Sequence, residues 1–273
     1  MVIDPFFEVC EEAARVGGRI LCDFLGCAAA REKGPRDLVT EADLASQEAI
    51  RDMVLTAFPD HRFVGEEEIP GVAESTPEPS NESPYRWIVD PLDGTVNYVH
   101  QMPTFSVSVA LERAGEILVG VVYDPIREEC FSARAHGGAH LNGTSLQTSD
   151  CSQLSEALVA ASFSANVQRG SPEIDRFIDV LVACQSMRRL GSAALNLSYV
   201  AAGRLDAYYA TNVRAWDVAA GILIVRESGG VVASIDGTPF QLDHPKFVAA
   251  SSRELHAQLI HLLGGAQSQK ADS

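Results

Sequence analysis

Asp90 and Asp93, followed at once by Gly94 and Thr95, are the residues of this chain whose types and spacing best suit chemistry. Two carboxylates three residues apart offer hard oxygen ligands to a divalent cation such as Mg²⁺. Gly94 lets an anion come close to the backbone. A helix opening at Asp93-Gly94-Thr95 would also turn the unpaired N–H groups of Gly94 and Thr95 toward that anion, with the helix dipole behind them. Such an arrangement suits a metal-assisted phosphate site. A plainer reading also stands: an Asp caps a helix after a proline turn, and Asp90 is a solvated loop carboxylate.

Bringing these carboxylates together takes a strand that ends at them. Trp87, Ile88 and Val89 form a short buried apolar run, and Pro91 cannot extend its ladder, so both Asp residues are predicted at a strand-to-helix junction. Upstream, Phe7, Cys10, Ala14, Ile20, Leu21, Phe24 and Leu25 mark one long amphipathic helix. A second helix is predicted from near Thr40, which has capping-box spacing to Asp43, to a stop before Pro59. Downstream, alternation takes over: Phe105, Val107, Val109 and Leu111 line one strand face, 115–123 and 129–133 read as further strands, and Asn142-Gly143 signals a type I′ hairpin. A helix from Ser171 is predicted to turn Ile174, Phe177, Ile178 and Leu181 inward. A helix over 191–203, a strand over 205–209, the helix carrying Asp217, and strands over 231–235 and 247–250 complete the pattern. This order argues for a layered α+β sandwich rather than an all-parallel fold.

Two more segments end in carboxylates. Phe63-Val-Gly-Glu-Glu-Glu68 by itself reads as a solvated acidic loop. Ala215-Trp-Asp-Val-Ala-Ala-Gly-Ile-Leu-Ile-Val-Arg-Glu-Ser-Gly-Gly230 by itself reads as an Asp-capped apolar helix stopped by glycines. With Trp87-Ile-Val-Asp-Pro-Leu-Asp-Gly-Thr-Val-Asn-Tyr-Val-His100 between them, all three resemble, in order, the signatures of the inositol monophosphatase family. These are Mg²⁺-dependent, lithium-sensitive phosphomonoesterases of the fructose-1,6-bisphosphatase-like superfamily. The resemblance runs through Asp37-Leu-Val-Thr-Glu-Ala-Asp43 and Leu190-Gly-Ser-Ala-Ala-Leu-Asn196 and covers about residues 5 to 260.

The resemblance implies a five-layer α-β-α-β-α sandwich with largely antiparallel sheets, commonly a homodimer. It also implies two or three Mg²⁺ ions. Glu66, Asp90 and the carbonyl of Leu92 would hold one ion, and Asp90, Asp93 and Asp217 another, with Asp90 bridging. Thr95 matches the residue whose hydroxyl orients the attacking water, and Asp43 the carboxylate that pairs with it, so that Thr95, Asp43 and Glu66 form the catalytic set. On spacing alone, Thr40 and Asp43 are simply a capping box. Gly94 and Thr95 would meet the phosphate, while Asp93, Gly191, Ser192, Ala193 and Asp217 would meet substrate hydroxyls. The chain departs from the pattern at Ala210, where inositol-selective members commonly carry a Glu. No carboxylate precedes Asp217 from there on, and Asn212 or Arg214 would supply other contacts. His100, His136 and His140 lie near turns and read as structural or solvated.

The expected activity is hydrolysis of small phosphate monoesters by a metal-activated water, with inositol 1-phosphate as the leading substrate. Histidinol phosphate, fructose 1,6-bisphosphate and adenosine 3′,5′-bisphosphate are alternatives. A catalytically silent protein that binds Mg²⁺ and phosphate for regulation is the alternative from another class.

Composition sets the outer bounds. At 273 residues and 46% hydrophobic content, with no linker in the middle, a single catalytic unit over 1–273 is expected. The Pro/Ser/Glu-rich stretch 71–84 reads as a mobile surface loop beside the site. No apolar run approaches a membrane span and the N-terminus has no signal-peptide pattern, which points to a cytoplasmic protein. Six cysteines without a CxxC pair read as core residues in a reducing compartment. A net charge of −16 disfavours nucleic acid and anionic membranes as partners. It does not forbid a small phosphate ester, because bound divalent cations reverse the local sign.

Overall fold

Asp4 caps the first helix, α1 (Pro5–Phe24), by accepting from the N–H groups of Phe6 and Phe7, and one stripe of the helix is buried through Cys10, Ala14 and Leu21. The computed structural model describes residues 4–34, 37–68, 83–164 and 167–265, so the loop expected at 71–84 falls almost wholly outside the described residues. A hairpin of β1 (Ala30–Gly34) and β2 (Asp37–Thr40) leads into α2 (Glu41–Ala57). The α2 capping box joins Thr40 and Asp43, as their spacing predicts.

These two helices cover one face of a seven-stranded sheet. Its strands are β3 (Arg62–Gly65), β4 (Tyr85–Asp93), β5 (Ser106–Arg113), β6 (Glu116–Asp124), β7 (Glu129–Arg134), β8 (Gly138–Leu141) and β9 (Thr144–Ser145), in sequence order. Only β3 and β4 pair in parallel. Alternation sends Val107, Val109 and Leu111 of β5 toward α1 and α2, and Ala110 to the other face. Asn142 (φ 48°) and Gly143 (φ 80°) make the predicted two-residue turn between β8 and β9. A short helix, α3 (Thr95–Val99), joins β4 to β5.

The rest of the chain builds a second sheet. In order come β10 (Leu158–Ser162), α4 (Pro172–Ala183), β11 (Ser186–Arg188), α5 (Ala193–Ala201), β12 (Ala207–Ala210), α6 (Ala215–Glu227), β13 (Val231–Ser234), β14 (Phe247–Ala250) and α7 (Arg253–Gly265). The strands lie in the order β11-β10-β12-β14-β13, with β10 parallel to both neighbours because α4 and α5 carry the chain across as crossovers. Antiparallel pairing therefore prevails overall, though the second sheet is mixed. Helices α5 and α6 are apolar almost all round and lie buried between the two sheets, while α4 and α7 close the outer face. The five-layer α-β-α-β-α sandwich is the observed architecture.

Two local expectations are corrected. Strand β4 does not stop at Pro91 but runs on to Asp93, with a register break between Asp90 and Asp93, so the proline sits in a bulge. On α4, Ile178 and Leu181 remain 50% and 46% exposed rather than inward-facing. That helix is in the outermost layer, and its narrow buried stripe runs through Val180, with Phe177 against Phe163. No helix among the described residues is long and apolar enough to cross a membrane, and all six cysteines are free thiols, though only Cys10 and Cys130 are the expected core residues and Cys22 and Cys27 are exposed.

Candidate active site

The bulge that ends β4 opens onto a cleft of ≈ 230 Å³. Glu66, Asp90, Leu92, Asp93, Gly94 and Thr95 line it from the first sheet. Across from them stand Ser162, Phe163, Arg189, Gly191, Ala193, Asn212, Val213 and Asp217, carried by the second half of the chain. Segments far apart in sequence thus meet at one surface.

Each carboxylate has its own positioning device. The parallel β3–β4 ladder continues through the Glu66 N–H, which donates to the Val89 carbonyl at 3.2 Å and places Glu66 beside Asp90. Gln47 braces the next residue by donating to the Glu67 carbonyl and accepting from the Glu67 N–H at 2.9 Å. Asp90 accepts from the Leu92 N–H at 3.0 Å, which shapes the bulge. Asp217, in the first turn of α6, accepts from the Arg214 N–H at 2.7 Å. Ser46 donates to the Pro91 carbonyl at 3.1 Å and ties α2 to the same turn.

Asp93 is held most tightly. It accepts from the Ala193 N–H at 3.0 Å, the Ala194 N–H at 2.8 Å, the Ser192 hydroxyl and, more weakly, the Ser106 hydroxyl at 3.4 Å. A carboxylate from the first sheet thereby satisfies the free N–H groups of a helix lying between the sheets. Of the five residues expected to meet substrate hydroxyls, Asp93, Gly191, Ala193 and Asp217 line the cleft, whereas Ser192 is buried beneath it and holds Asp93.

The short helix α3 is capped by Gly94, not by an Asp, and Gly94 takes φ +97°. Gly191 takes φ +86°, and a methyl group there would fall 2.7 Å from the Asn97 amide nitrogen, which bridges the carbonyls of Thr104 and Leu190 at 2.7 Å each. Both φ values suit glycine. Gly191→Ala is therefore expected to cost about 1–3 kcal/mol of stability and most of the activity. Thermal melts and turnover of the purified variant check this, and a parental melting point with parental turnover would refute the tight fit.

Asp43 serves two ends. One oxygen accepts from the Thr40 N–H at 2.9 Å and the Thr40 hydroxyl at 2.5 Å, closing the α2 cap. The other lies 3.4 Å from the Thr95 hydroxyl, whose second acceptor is the Leu92 carbonyl at 3.1 Å. Capping box and Thr95 partner are thus both present. Asp43 is fully buried and does not line the cleft itself.

Electrostatics mark the cluster. Burial pushes Asp217 up to about 8, with the charges of Asp93 and Glu66 adding to it, although part of its surface still opens on the cleft. Asp90 is driven well above the carboxylate range by burial and by the charges of Glu66, Asp93 and Asp217. Burial also raises Asp93, but only to about 6, because Ser192, Ala193 and Ala194 donate to its charged form. Asp43 is held at about 6 by burial against the opposing Thr40 bonds.

This donor set fits Mg²⁺ by type: Glu66, Asp90, Asp93, Asp217 and the Leu92 carbonyl offer only hard oxygens, and the burial and added mutual repulsion that lift Asp90 and Asp217 are what a bound cation offsets. Among the described residues no three His, Cys, Asp or Glu side chains already converge into a ready-made cage.

Several site residues were not legible as such. Gln47 and Ser46 stand at helical spacing from Asp43, on the buried face of α2, and polar residues on that face were the available signal. Ser162, Phe163 and Arg189 carry no local pattern. Of the two residues expected to replace a carboxylate at position 210, Asn212 lines the cleft and the exposed Arg214 does not.

Layered fold and carboxylate-lined cleft together define an α-β-α-β-α sandwich protein with a hard-oxygen site between its two sheets. The inositol monophosphatase family profile matches residues 3–268, nearly the whole chain. Inositol monophosphatase 2 of Solanum lycopersicum is 41% identical over 96% of this chain and 98% of its own length. Nus factor SuhB of Pasteurella multocida is 39% identical over 92% and 93%. The crystal structure of extragenic suppressor protein suhB from Bartonella henselae matches with a TM-score of 0.86 at 35% identity, covering 94% of this chain and 97% of that one. The chain belongs to the inositol monophosphatase family, and it is a phosphoric monoester hydrolase.

Proposed function

We propose that this protein hydrolyses small phosphorylated polyols in a Mg²⁺-dependent reaction, inositol 1-phosphate among them, by direct attack of water. The observation that carries this reading is the meeting of Glu66, Asp90, Asp93 and Asp217 at one cleft, with the Thr95–Asp43 pair at its edge. Mg²⁺ held by Glu66, Asp90 and the Leu92 carbonyl, and by Asp90, Asp93 and Asp217, would neutralise the phosphate and make water a better nucleophile. Thr95, donating toward Asp43, keeps its oxygen lone pairs free to accept from a water and aim it. Gly94 and Thr95 present N–H groups to the phosphoryl oxygens. Gly191, Ala193 and Asn212 face the polyol. Lithium sensitivity and a homodimer belong to this reading.

Phosphate release across a panel of monoesters tests it. Release with Mg²⁺ that a chelator abolishes is expected. No release from any ester under Mg²⁺ would point instead to a protein that binds Mg²⁺ and phosphate without turnover.

Ala210 favours a broad substrate range. It is fully buried and does not line the cleft, but it pairs across β10–β12 with Ser162, which does, and Ser162 is bonded to the Tyr208 hydroxyl at 2.8 Å. A site lacking a hydroxyl's partner loses little when the hydroxyl is missing. The kcat/KM for inositol 1-phosphate is expected within about tenfold of that for glycerol 2-phosphate, since one hydrogen bond is worth on the order of 1 kcal/mol. Ala210→Glu is expected to favour the inositol ester selectively, with the melting point measured alongside. An unchanged substrate ranking in a folded variant would place specificity elsewhere.

A further inference from the structure

The wall supplied by the second sheet differs from the carboxylate wall facing it. Apart from Asp217 it presents neutral groups and, among the described residues, one cation, Arg189. The Arg189 guanidinium lies 5.2 Å from the centroid of the Phe163 ring, and that ring is wedged edge-on against Phe177 of α4 at 5.1 Å. A cation seated on a fixed aromatic face is pre-oriented with its N–H donors still available. Arg189 is exposed, and none of the ion pairs among the described residues involves it. Its neighbour Arg188, by contrast, turns one guanidinium nitrogen to the Ser186 hydroxyl at 2.7 Å and the Met187 carbonyl at 2.9 Å.

A guanidinium at the rim of a cleft whose other wall already accounts for one phosphate has donors left for another anion. We propose that Arg189, seated on Phe163, recognises a second phosphate on the substrate, so that the cleft takes bisphosphorylated polyols in preference to the matched monoesters. This rests on the reading of the cleft as a phosphatase site. The planar fork of Arg189 matches two phosphate oxygens at once, and cations held at the carboxylate wall would make the cleft more attractive still to a doubly charged substrate. Arg189 is thus a specificity residue, not part of the hydrolytic step.

The test compares inositol 1,4-bisphosphate with inositol 1-phosphate in the parent, Arg189→Ala and Arg189→Lys. Arg189→Ala is expected to lower the ratio of kcat/KM for the bisphosphate over the monoester by about 10- to 100-fold, with Arg189→Lys recovering part of it. Calorimetric titration with a non-hydrolysable bisphosphonate and its monophosphonate counterpart, in Mg²⁺, reads the same contact without turnover. A ratio within about twofold of the parent's in Arg189→Ala overturns the proposal. Should the parent cleave neither ester, the phosphatase reading falls, and the titration still decides Arg189: equal bisphosphonate affinity in parent and Arg189→Ala overturns its role.

Discussion

Asp90→Asn and Asp217→Asn are each expected to lower turnover by about 10³-fold or more while leaving the chelated protein at least as stable as the parent at alkaline pH. Both substitutions keep the local bond, because an amide oxygen can still accept from the Leu92 N–H or the Arg214 N–H. What they remove is charge. Burial holds Asp217 up to about 8 and Asp90 well above the carboxylate range, so the folded protein binds protons that the unfolded chain has already released. The stability from that excess proton binding is complete below the ordinary carboxylate range, near 4, and is lost as pH rises through about 8. The parent's melting point in chelator is therefore expected to fall across this interval. The curve for Asp217→Asn should be flatter and should lie above it at alkaline pH. Added Mg²⁺ should raise the parent's melting point most where the carboxylates are ionised. Near-parental turnover of either variant at saturating Mg²⁺, or a steeper pH dependence in Asp217→Asn, would sink the assignment of the cluster.

The second large effect is expected at the Thr95–Asp43 pair. Thr95→Ala should lower kcat by about 10²- to 10³-fold with little change in melting point, since the hydroxyl's partners are the Asp43 carboxylate and a carbonyl rather than packing atoms. Thr95→Ser keeps the hydroxyl and should recover most of the rate. Asp43→Asn should behave differently, because the same side chain caps α2: it is expected to lose rate and about 1 kcal/mol of stability together. Steady-state kinetics and thermal melts on the three variants separate the roles. Were Thr95→Ala to keep most of the parental kcat, the hydroxyl would have no part in orienting water.

How much of this was legible follows from the range of the interactions involved. Helical spacing from Phe7 to Leu25, the capping box at Thr40 and Asp43, strand alternation through Val107, Val109 and Leu111, and the Asn142-Gly143 turn are all set by residues close together in the chain, and all are present in the fold. Donor types were legible for the same reason: an Asp or Glu is a hard ligand wherever it lies. From residue types and family resemblance alone, the chain was recognisable as a layered phosphatase with carboxylates at 66, 90, 93 and 217.

Tertiary structure decided which of these groups face one another and what else joins them. Pro91 could remain in β4 because a bulge, stabilised by Asp90 on the Leu92 N–H and by Ser46 on the Pro91 carbonyl, absorbs its missing donor. The donors of Ser192, Ala193 and Ala194 go to Asp93 because α5 lies between the sheets with its N-terminus against the end of β4, a placement that depends on the packing of two layers. Gln47 braces the Glu66–Glu67 turn, and Arg189 is set on Phe163, across 20 and 26 residues of chain respectively. Neither pairing has a local period to announce it, because register, bulge and layer order place these side chains and are themselves settled by the packing of the whole sandwich.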